Sequence, residues 1–150
     1  MELITKHFGA LVVSEGEMIV FERGLPGFPN DKRFIIIFDE SADNKIYWLQ
    51  SMDNGDVSLA LLDSFSVMPE YDPLIEESQF AEVDFDGDID NLLVFSVVII
   101  GESLSESFVN LKTPIIINNN NKKGKQIVVS NEEYYINHRL DECLISEGGI

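Results

Sequence analysis

The stretch VNLKTPIIIN at residues 109–118 carries the strongest strand signal in the chain. Three consecutive β-branched residues, Ile115 to Ile117, favour a strand because their stiff χ1 packs well on a pleated surface. Pro114 lacks an N–H and suits the first residue of that strand. The run NNNNKKG at residues 118–124 predicts a polar turn, since Asn and Gly tolerate positive φ, and KQIVV at residues 125–129 predicts the return strand. These residues together predict a β-hairpin.

Similar short strands recur along the chain. Their spacing of about ten residues, with little helix between them, predicts a mainly β fold, an antiparallel barrel or sandwich with at most one or two short helices. A turn at residues 14–16 separates the first two, and residues 39–45 form another polar turn. The one helix candidate spans residues 74–83, and residues 134–140 are expected to be extended or a single turn. Besides the hairpin, strands are predicted at residues 3–13, 17–22, 33–38, 47–53, 57–63 and 92–100.

Length and composition indicate one packed domain. A chain of 150 residues buries about two-thirds of its unfolded surface. We expect the domain to span residues 1–140 and residues 141–150 to form a flexible tail. The single cysteine, Cys143, cannot form an internal disulfide, which agrees with a reducing cytosol. The first apolar run, residues 8–13, is too short for a signal peptide, and no stretch approaches the ~20 apolar residues of a membrane span. We therefore expect a cytoplasmic protein without membrane contact.

The charge is strongly negative and unevenly distributed. The formal net charge is −17, and residues 46–111 hold fourteen Asp and Glu residues but no Lys, Arg or His. Four lysines follow, between Lys112 and Lys125. Such a surface repels phosphate backbones and attracts a basic protein partner, which argues against direct nucleic-acid binding. The acidity can also serve solubility alone.

Catalytic and metal-binding patterns are absent from the sequence. It holds only two histidines, His7 and His138, and neither a phosphate-binding glycine loop nor a G-x-S-x-G motif. The acidic run at residues 84–91 fails as an EF-hand loop, because Ile89 and Phe95 stand where Gly and Glu are required. We expect no enzyme activity, metal or cofactor. A small β-barrel that binds an apolar ligand or a flavin is the alternative, although bulky residues predict a filled interior.

Several blocks resemble the flagellar assembly factor FliW family, in the family order. One block is VNLKTPIIIN at residues 109–118 followed by GKQIVV at residues 124–129. Two others are FERGLPGF at residues 21–28 and WLQSMD at residues 48–53. Tyr71 between two prolines and the pair His138-Arg139 match more loosely. In these blocks we predict that Phe28 anchors a shaped loop and that Trp48 is a core residue. The predicted structural positions of these motifs are Gly24, Pro26, Gly27, Phe28, Trp48, Asn110 and Pro114.

The resemblance implies a function that composition and spacing do not. It implies a non-enzymatic cytoplasmic factor that binds flagellin before export and also the RNA-binding translational repressor CsrA. Binding to CsrA then relieves repression of flagellin translation, and accumulating flagellin draws the factor away. The free protein is expected to be a monomer.

The apolar run at residues 92–100 is the predicted partner surface. It does not alternate as a half-exposed strand does. Leu93, Phe95, Val97 and Ile99 share the bulkier face, which we expect to point inward. The opposite face is either covered by the same chain or forms an exposed apolar stripe for a partner. The predicted partner-binding residues are Val94, Ser96, Val98 and Ile100, together with Tyr71, Glu76 and Glu77 in the acidic segment.

Overall fold

The computed structural model of the chain describes residues 1–38 and 46–143. The predicted turn at residues 39–45 and residues 144–150 of the predicted tail lie outside this description. Three single 3-10 turns, Glu15–Glu17, Ile89–Asn91 and Leu104–Glu106, join the other elements, and residues 140–143 are helical. The described helices are α1 (Ser64–Val67) and α2 (Glu77–Ala81). The described strands are β1 (Glu2–Thr5), β2 (Gly9–Val12), β3 (Ile19–Val20), β4 (Arg33–Phe38), β5 (Tyr47–Ser51), β6 (Ser58–Asp63), β7 (Leu92–Ile99), β8 (Phe108–Val109), β9 (Ile115–Asn118), β10 (Lys123–Gln126) and β11 (His138–Arg139).

Seven strands close into a barrel in the order β7-β6-β5-β4-β3-β10-β9 and back to β7. Neighbouring strands are antiparallel except for one parallel bridge between β3 and β10. This arrangement confirms the predicted mainly β, antiparallel fold with short helices. β8 and β11 extend the sheet beyond the barrel from the far end of β7.

The predicted hairpin is confirmed, and its first strand closes the barrel. β9 pairs with β10 along one edge and with β7 along the other. The return strand begins at Lys123, two residues before its predicted start, because the turn ends at Lys122 with a φ of +60°. Gly124 lies in the strand, where a Cβ atom would come within 2.7 Å of the Phe21 ring. The glycine thus makes room for Phe21 inside the barrel.

Three apolar clusters occupy successive layers. The barrel interior contains Phe34, Leu49 and Ile115, which are fully buried. A second cluster lies outside β6, β7 and β9, where residues of the 67–83 and 127–143 segments cover Val94 and Ile116. A third joins the β1–β2 hairpin to the outer face of β4. Much of this barrel wall is therefore apolar on both faces, which explains the near-continuous hydrophobic runs.

The N-terminal prediction was wrong about the turn. The hairpin is formed by β1 and β2, which together replace the single strand predicted at residues 3–13. Thr5 Oγ1 accepts a hydrogen bond from Phe8 N at 2.9 Å and donates to the carbonyl of Gly9 at 2.9 Å, so its side chain closes the turn. The predicted turn at residues 14–16 is instead part of a 3-10 turn before β3. A threonine hydroxyl can accept a hydrogen bond from the backbone N–H three residues later and so indicates a turn. The strand pattern alone did not include this signal.

Asp53, the last residue of the WLQSMD block, links the end of β5 to the start of β4. Its carboxylate accepts hydrogen bonds from the backbone N–H groups of Lys32 and Arg33 and pairs with the Arg33 side chain at 2.7 Å. Burial alone would raise the pKa of Asp53, but these hydrogen bonds outweigh it and hold the pKa below its ordinary value. β5 ends at Ser51 rather than at the predicted residue 53, and the next N–H groups, those of Asp53 and Asn54, donate to the Ser51 hydroxyl.

The helical segments are shorter than the predicted helix at residues 74–83. α2 covers only Glu77–Ala81, and α1 was not predicted. The Asp63 side chain accepts a hydrogen bond from Phe65 N at 3.0 Å and caps α1. Asp is a typical N-cap residue, and Asp63 in the sequence could therefore have indicated the start of this helix.

The GLPGF loop turns on two glycines with positive φ, Gly24 at +66° and Gly27 at +87°. Leu25 and Phe28 exchange backbone hydrogen bonds of 3.2 and 2.8 Å, which makes the loop a tight corner. Leu25 is the buried anchor, whereas Phe28 is half-buried against the barrel cluster. The predicted anchoring role of Phe28 is therefore shared with Leu25.

The two glycines should respond differently to substitution. Gly27→Val should lower the free energy of unfolding by about 1–2 kcal/mol, because a β-branched residue is strained at positive φ but meets no atom there. Gly24→Val should cost more, since a Cβ atom would also lie 2.6 Å from the Phe28 carbonyl oxygen. Urea unfolding measures both, with Gly16→Val as the control in open space at ordinary φ. Equal losses at Gly24 and Gly27 would contradict this geometry.

Candidate partner-binding surfaces

Most of the predicted partner stripe on β7 is buried. Val94, Ser96 and Val98 lie under the second cluster, so the chain itself covers this face and the exposed-stripe alternative is wrong for them. Leu93, Phe95 and Val97 line the barrel interior as predicted. Ile99, predicted to point inward, is 66% exposed because β7 has left the barrel there and pairs with β8.

Three buried hydroxyl groups show why this covering is specific. Ser96 interrupts the apolar run because its Oγ lies 2.7 Å from Ser64 Oγ at the start of α1, where the two buried hydroxyls satisfy each other. Tyr71, another predicted partner residue, is buried, and its hydroxyl donates to the Leu111 carbonyl at 2.7 Å. Burial and the neighbouring Tyr134 raise the pKa of Tyr71. Ser96 and Tyr71 hold the cover onto the barrel and are inaccessible to a partner.

The remaining predicted partner residues are on the surface. Ile100 is 50% exposed, directly after β7. Glu76 and Glu77 are exposed at the beginning of α2, where the Glu76 side chain forms a capping box with Gln79. Glu76 therefore has a local structural role, and contact of these three residues with a partner stays a prediction.

The Asn110 side chain organises the loop between β8 and β9. Its Oδ1 accepts hydrogen bonds from the N–H groups of Lys112 and Thr113, and its Nδ2 donates to Thr113 Oγ1 at 2.6 Å. The Pro114 carbonyl accepts a hydrogen bond from Ile127 N, which joins the loop to the chain after β10. The side-chain contacts explain why Asn110 and Thr113 stand between the two strands.

Trp48 lies on the outer wall rather than fully inside a core. It is half-buried against the second cluster, and its ring stacks on His7 with centroids 5.8 Å apart. Phe8 meets the same ring edge-on at 5.9 Å. Trp48 thus fastens the turn of the N-terminal hairpin to the barrel.

A groove of about 410 Å³ lies beside the GLPGF loop. Its charged residues are two acids, Glu22 and Glu82, and two bases, Arg23 and Lys125, so it is balanced in a chain that is otherwise acidic. Glu82 pairs with Lys125 and lies 3.8 Å from Arg23. The groove is lined by Glu22, Arg23, Gly24, Leu25, Pro26, Gly27, Pro29, Glu82, Gly124, Lys125 and Gln126. Pro26 and Gly27 therefore border open space as well as shaping the corner.

Two of the four clustered lysines, Lys123 and Lys125, form ion pairs, and most carboxylates of the acidic span have none among the described residues. Lys123 contacts Asp84 at 2.6 Å and Glu22 at 3.1 Å, and these hydrogen bonds raise the pKa of Lys123. Within residues 1–38 and 46–143, the acids of the span that form no ion pair are Asp56, Asp63, Asp72, Glu76, Glu77, Asp86, Asp88, Asp90, Glu102 and Glu106. The surface therefore presents an excess of carboxylates, as the sequence indicates.

Two kinds of site are not found in the described part of the chain. No three His, Cys, Asp or Glu side chains there lie together as a metal ion would need. No helix within residues 1–38 and 46–143 is long and apolar enough to cross a membrane.

The hydrogen bonds of two buried asparagine side chains were not predicted from the sequence. Asn131 accepts a hydrogen bond from Leu74 N at 2.7 Å and donates to the Asp72 carbonyl at 2.9 Å. Asn118 donates to the Val83 carbonyl at 3.0 Å from the end of β9. Asn118 ties the cover to the barrel, Asn131 ties the two covering segments to each other, and these partners lie more than thirty residues away in sequence. Only the fold brings such groups together.

Comparison with known proteins gives one consistent result. A family model described as FliW protein matches residues 2–140. A flagellar assembly factor FliW of Caldanaerobacter subterraneus subsp. tengcongensis is 42% identical over 146 residues, 96% of this chain and 95% of the relative. One of Thermoanaerobacter pseudethanolicus is 37% identical, with 96% and 95% covered. A solved crystal structure of the flagellar assembly factor FliW superposes with a TM-score of 0.84 at 26% identity, covering 93% of this chain and 96% of the other.

Two acidic substitutions, one on β7 and one directly after it, should separate the covered part of the apolar run from its exposed end. Val98→Asp should destabilise the fold by about 4 kcal/mol or more, because Val98 is 5% exposed and an unpaired carboxylate would be buried. Ile100→Asp should leave the melting temperature nearly unchanged, because that side chain is 50% exposed. Thermal melts of the purified variants measure both. A native-like melt for Val98→Asp would mean that the second cluster does not cover β7.

Proposed function

Because this chain belongs to the FliW family of flagellar assembly factors, we propose that it binds flagellin and the RNA-binding translational repressor CsrA. By holding CsrA it relieves repression of flagellin translation. When unassembled flagellin accumulates, it draws the factor away, and CsrA represses again. The protein acts without catalysis, in the cytoplasm, and is a monomer when free.

The acidic surface is the observation that carries the CsrA part of this proposal. A protein that binds RNA needs positive charge to meet the phosphates. The carboxylates that lack an ion pair in residues 46–111 offer complementary charge to such a protein and repel RNA itself. The same charge therefore favours contact with the repressor and disfavours contact between this chain and RNA.

The packed barrel favours a protein-binding factor over the alternative ligand barrel. Phe34, Leu49, Leu61, Ile115 and Ile117 have no exposed surface and fill the interior from four strands. A small-molecule site is usually a cavity of some hundreds of Å³ lined by apolar groups. The groove at the GLPGF loop has that volume but lies beside charged side chains and loop residues. A flavin or apolar ligand has no place among these interior side chains.

Three mixtures test the proposal. The purified chain should co-elute in gel filtration with flagellin and, separately, with CsrA. Added to a CsrA–RNA complex, it should release the RNA in a mobility-shift assay, and flagellin added last should restore the complex. The proposal would be falsified if neither protein co-eluted with the chain at micromolar concentrations. A yellow chromophore in the purified protein would favour the flavin alternative instead.

Association with CsrA should slow as salt is added. Exposed charges steer association over a Debye length that falls from ~10 Å at 0.1 M to ~3 Å at 1 M salt. We expect the association rate constant to drop at least about tenfold between 0.05 and 0.5 M NaCl, while the dissociation rate constant changes less. Stopped-flow or surface-based kinetics measure both constants. An association rate constant that does not depend on salt would exclude electrostatic steering by the acidic span.

A further inference from the structure

A three-stranded ribbon projects from the barrel where β7 ends. Val98 and Ile99 of β7 pair with Val109 and Phe108 of β8, which pair in turn with His138 and Arg139 of β11. The register places Val98, Val109 and His138 on one face, over the second cluster. Alternation therefore places Ile99, Phe108 and Arg139 on the other face, away from that cluster.

The end of β7 and the loop after it expose several large apolar side chains. Ile99 is 66% exposed, Ile100 50% and Leu104 52%, and Phe108 beside Ile99 is half-buried. Three large aliphatic side chains within six residues are thus open to solvent. We call these four residues the Ile99 patch.

The loop that carries part of the patch is held in one conformation. Gly101 N donates to Ser107 Oγ at 3.0 Å, and the same hydroxyl donates to the Ser103 carbonyl at 2.9 Å. The backbone at Gly101 approaches Glu106 so closely that a Cβ atom there would lie 2.4 Å from the Glu106 carbonyl oxygen. The Leu140 N–H also donates to the Ser107 carbonyl and ties the loop to the chain after β11. A patch ordered in advance loses little conformational entropy when it is covered.

Carboxylates surround the patch. Glu102 and Glu106 are exposed in the loop and form no ion pair within the described residues. Arg139 is the one cation of the ribbon in the described chain, and it is already held by Asp141 at 2.8 Å and Glu142 at 3.5 Å. An apolar centre with an acidic rim is complementary to an apolar centre with a basic rim.

We propose that the Ile99 patch is the docking surface for CsrA, through a CsrA surface in which apolar side chains are ringed by Lys and Arg. This inference rests on the proposed function and adds the place of contact. A second copy of the chain is a poor occupant, because each copy carries a net charge of −17 and would bring the same acidic rim to the contact. Flagellin then binds elsewhere on the chain.

A matched pair of surface substitutions tests the apolar centre. Ile99→Ser should weaken CsrA binding at least about tenfold, because truncating a central apolar contact typically costs that much. Val12→Ser on the outer face of the N-terminal hairpin is the control, since Val12 is 86% exposed and equally aliphatic. The control should bind CsrA like the unmodified chain, and both variants should bind flagellin normally. Calorimetry measures the affinities, and thermal melts verify folding. If Ile99→Ser melts early, Ile100→Ser replaces it.

A second pair tests the acidic rim. The double variant Glu102→Gln with Glu106→Gln should slow association with CsrA about threefold or more and flatten its salt dependence. The double variant Glu15→Gln with Glu132→Gln removes the same charge from exposed positions elsewhere and should do less.

The outcomes separate this inference from the proposed function. Suppose that the unmodified chain binds CsrA, and that both variants, Ile99→Ser and Ile100→Ser, bind it equally well. The proposed docking surface is then wrong, whereas the proposed function stands. Loss of flagellin binding instead of CsrA binding would assign the patch to flagellin and overturn the inference. So would a dimer of the unmodified chain that Ile99→Ser converts to a monomer. If the unmodified chain does not bind CsrA at all, both fail.

Discussion

The pairing of β9 with β10 on one edge and β7 on the other closes the barrel, and the rest of the structure depends on that closure. Ile115 and Ile117 point into the interior, while Ile116 points outward into the second cluster, and none of the three has exposed surface. A strand buried on both faces and bonded on both edges tolerates no shift in register, because a slip of one residue would exchange its two faces. Two hydrophobic cores therefore share one strand.

Because part of the barrel wall is apolar on both sides, something must cover its outer face, and the chain supplies the cover itself. The segment from α1 to α2 and the residues after β10 pack over β6, β7 and β9. Ser64, Tyr71, Asn118 and Asn131 fix that cover through hydrogen bonds to groups distant in sequence. Each such buried polar group is costly if left unpaired, so the set specifies one arrangement of the cover.

The same arrangement decides which surfaces remain for partners. Lys123 and Lys125 pair with Glu22, Glu82 and Asp84 at one end of the barrel, which leaves a balanced groove there and unpaired carboxylates elsewhere. At the other end of β7 the strand extends beyond the covering segments. The Ile99 patch is exposed there, next to acidic side chains. A flagellar assembly factor of the FliW family thus presents two chemically different surfaces on one small domain.

The sequence by itself determined the fold class, the existence of the hairpin after Pro114, the strand at Arg33–Phe38, the family and the acidic character. These depend on local propensity, motif order and composition, which are readable without contacts. Only the tertiary structure decided that Val94, Ser96 and Val98 are covered while Ile99 and Ile100 are not. An apolar run that is buried on both faces has the same pattern as one with an exposed stripe, and many of the covering groups lie tens of residues away in sequence. The position of the first turn was also undecided, because a single threonine hydroxyl outweighs the apolar periodicity there.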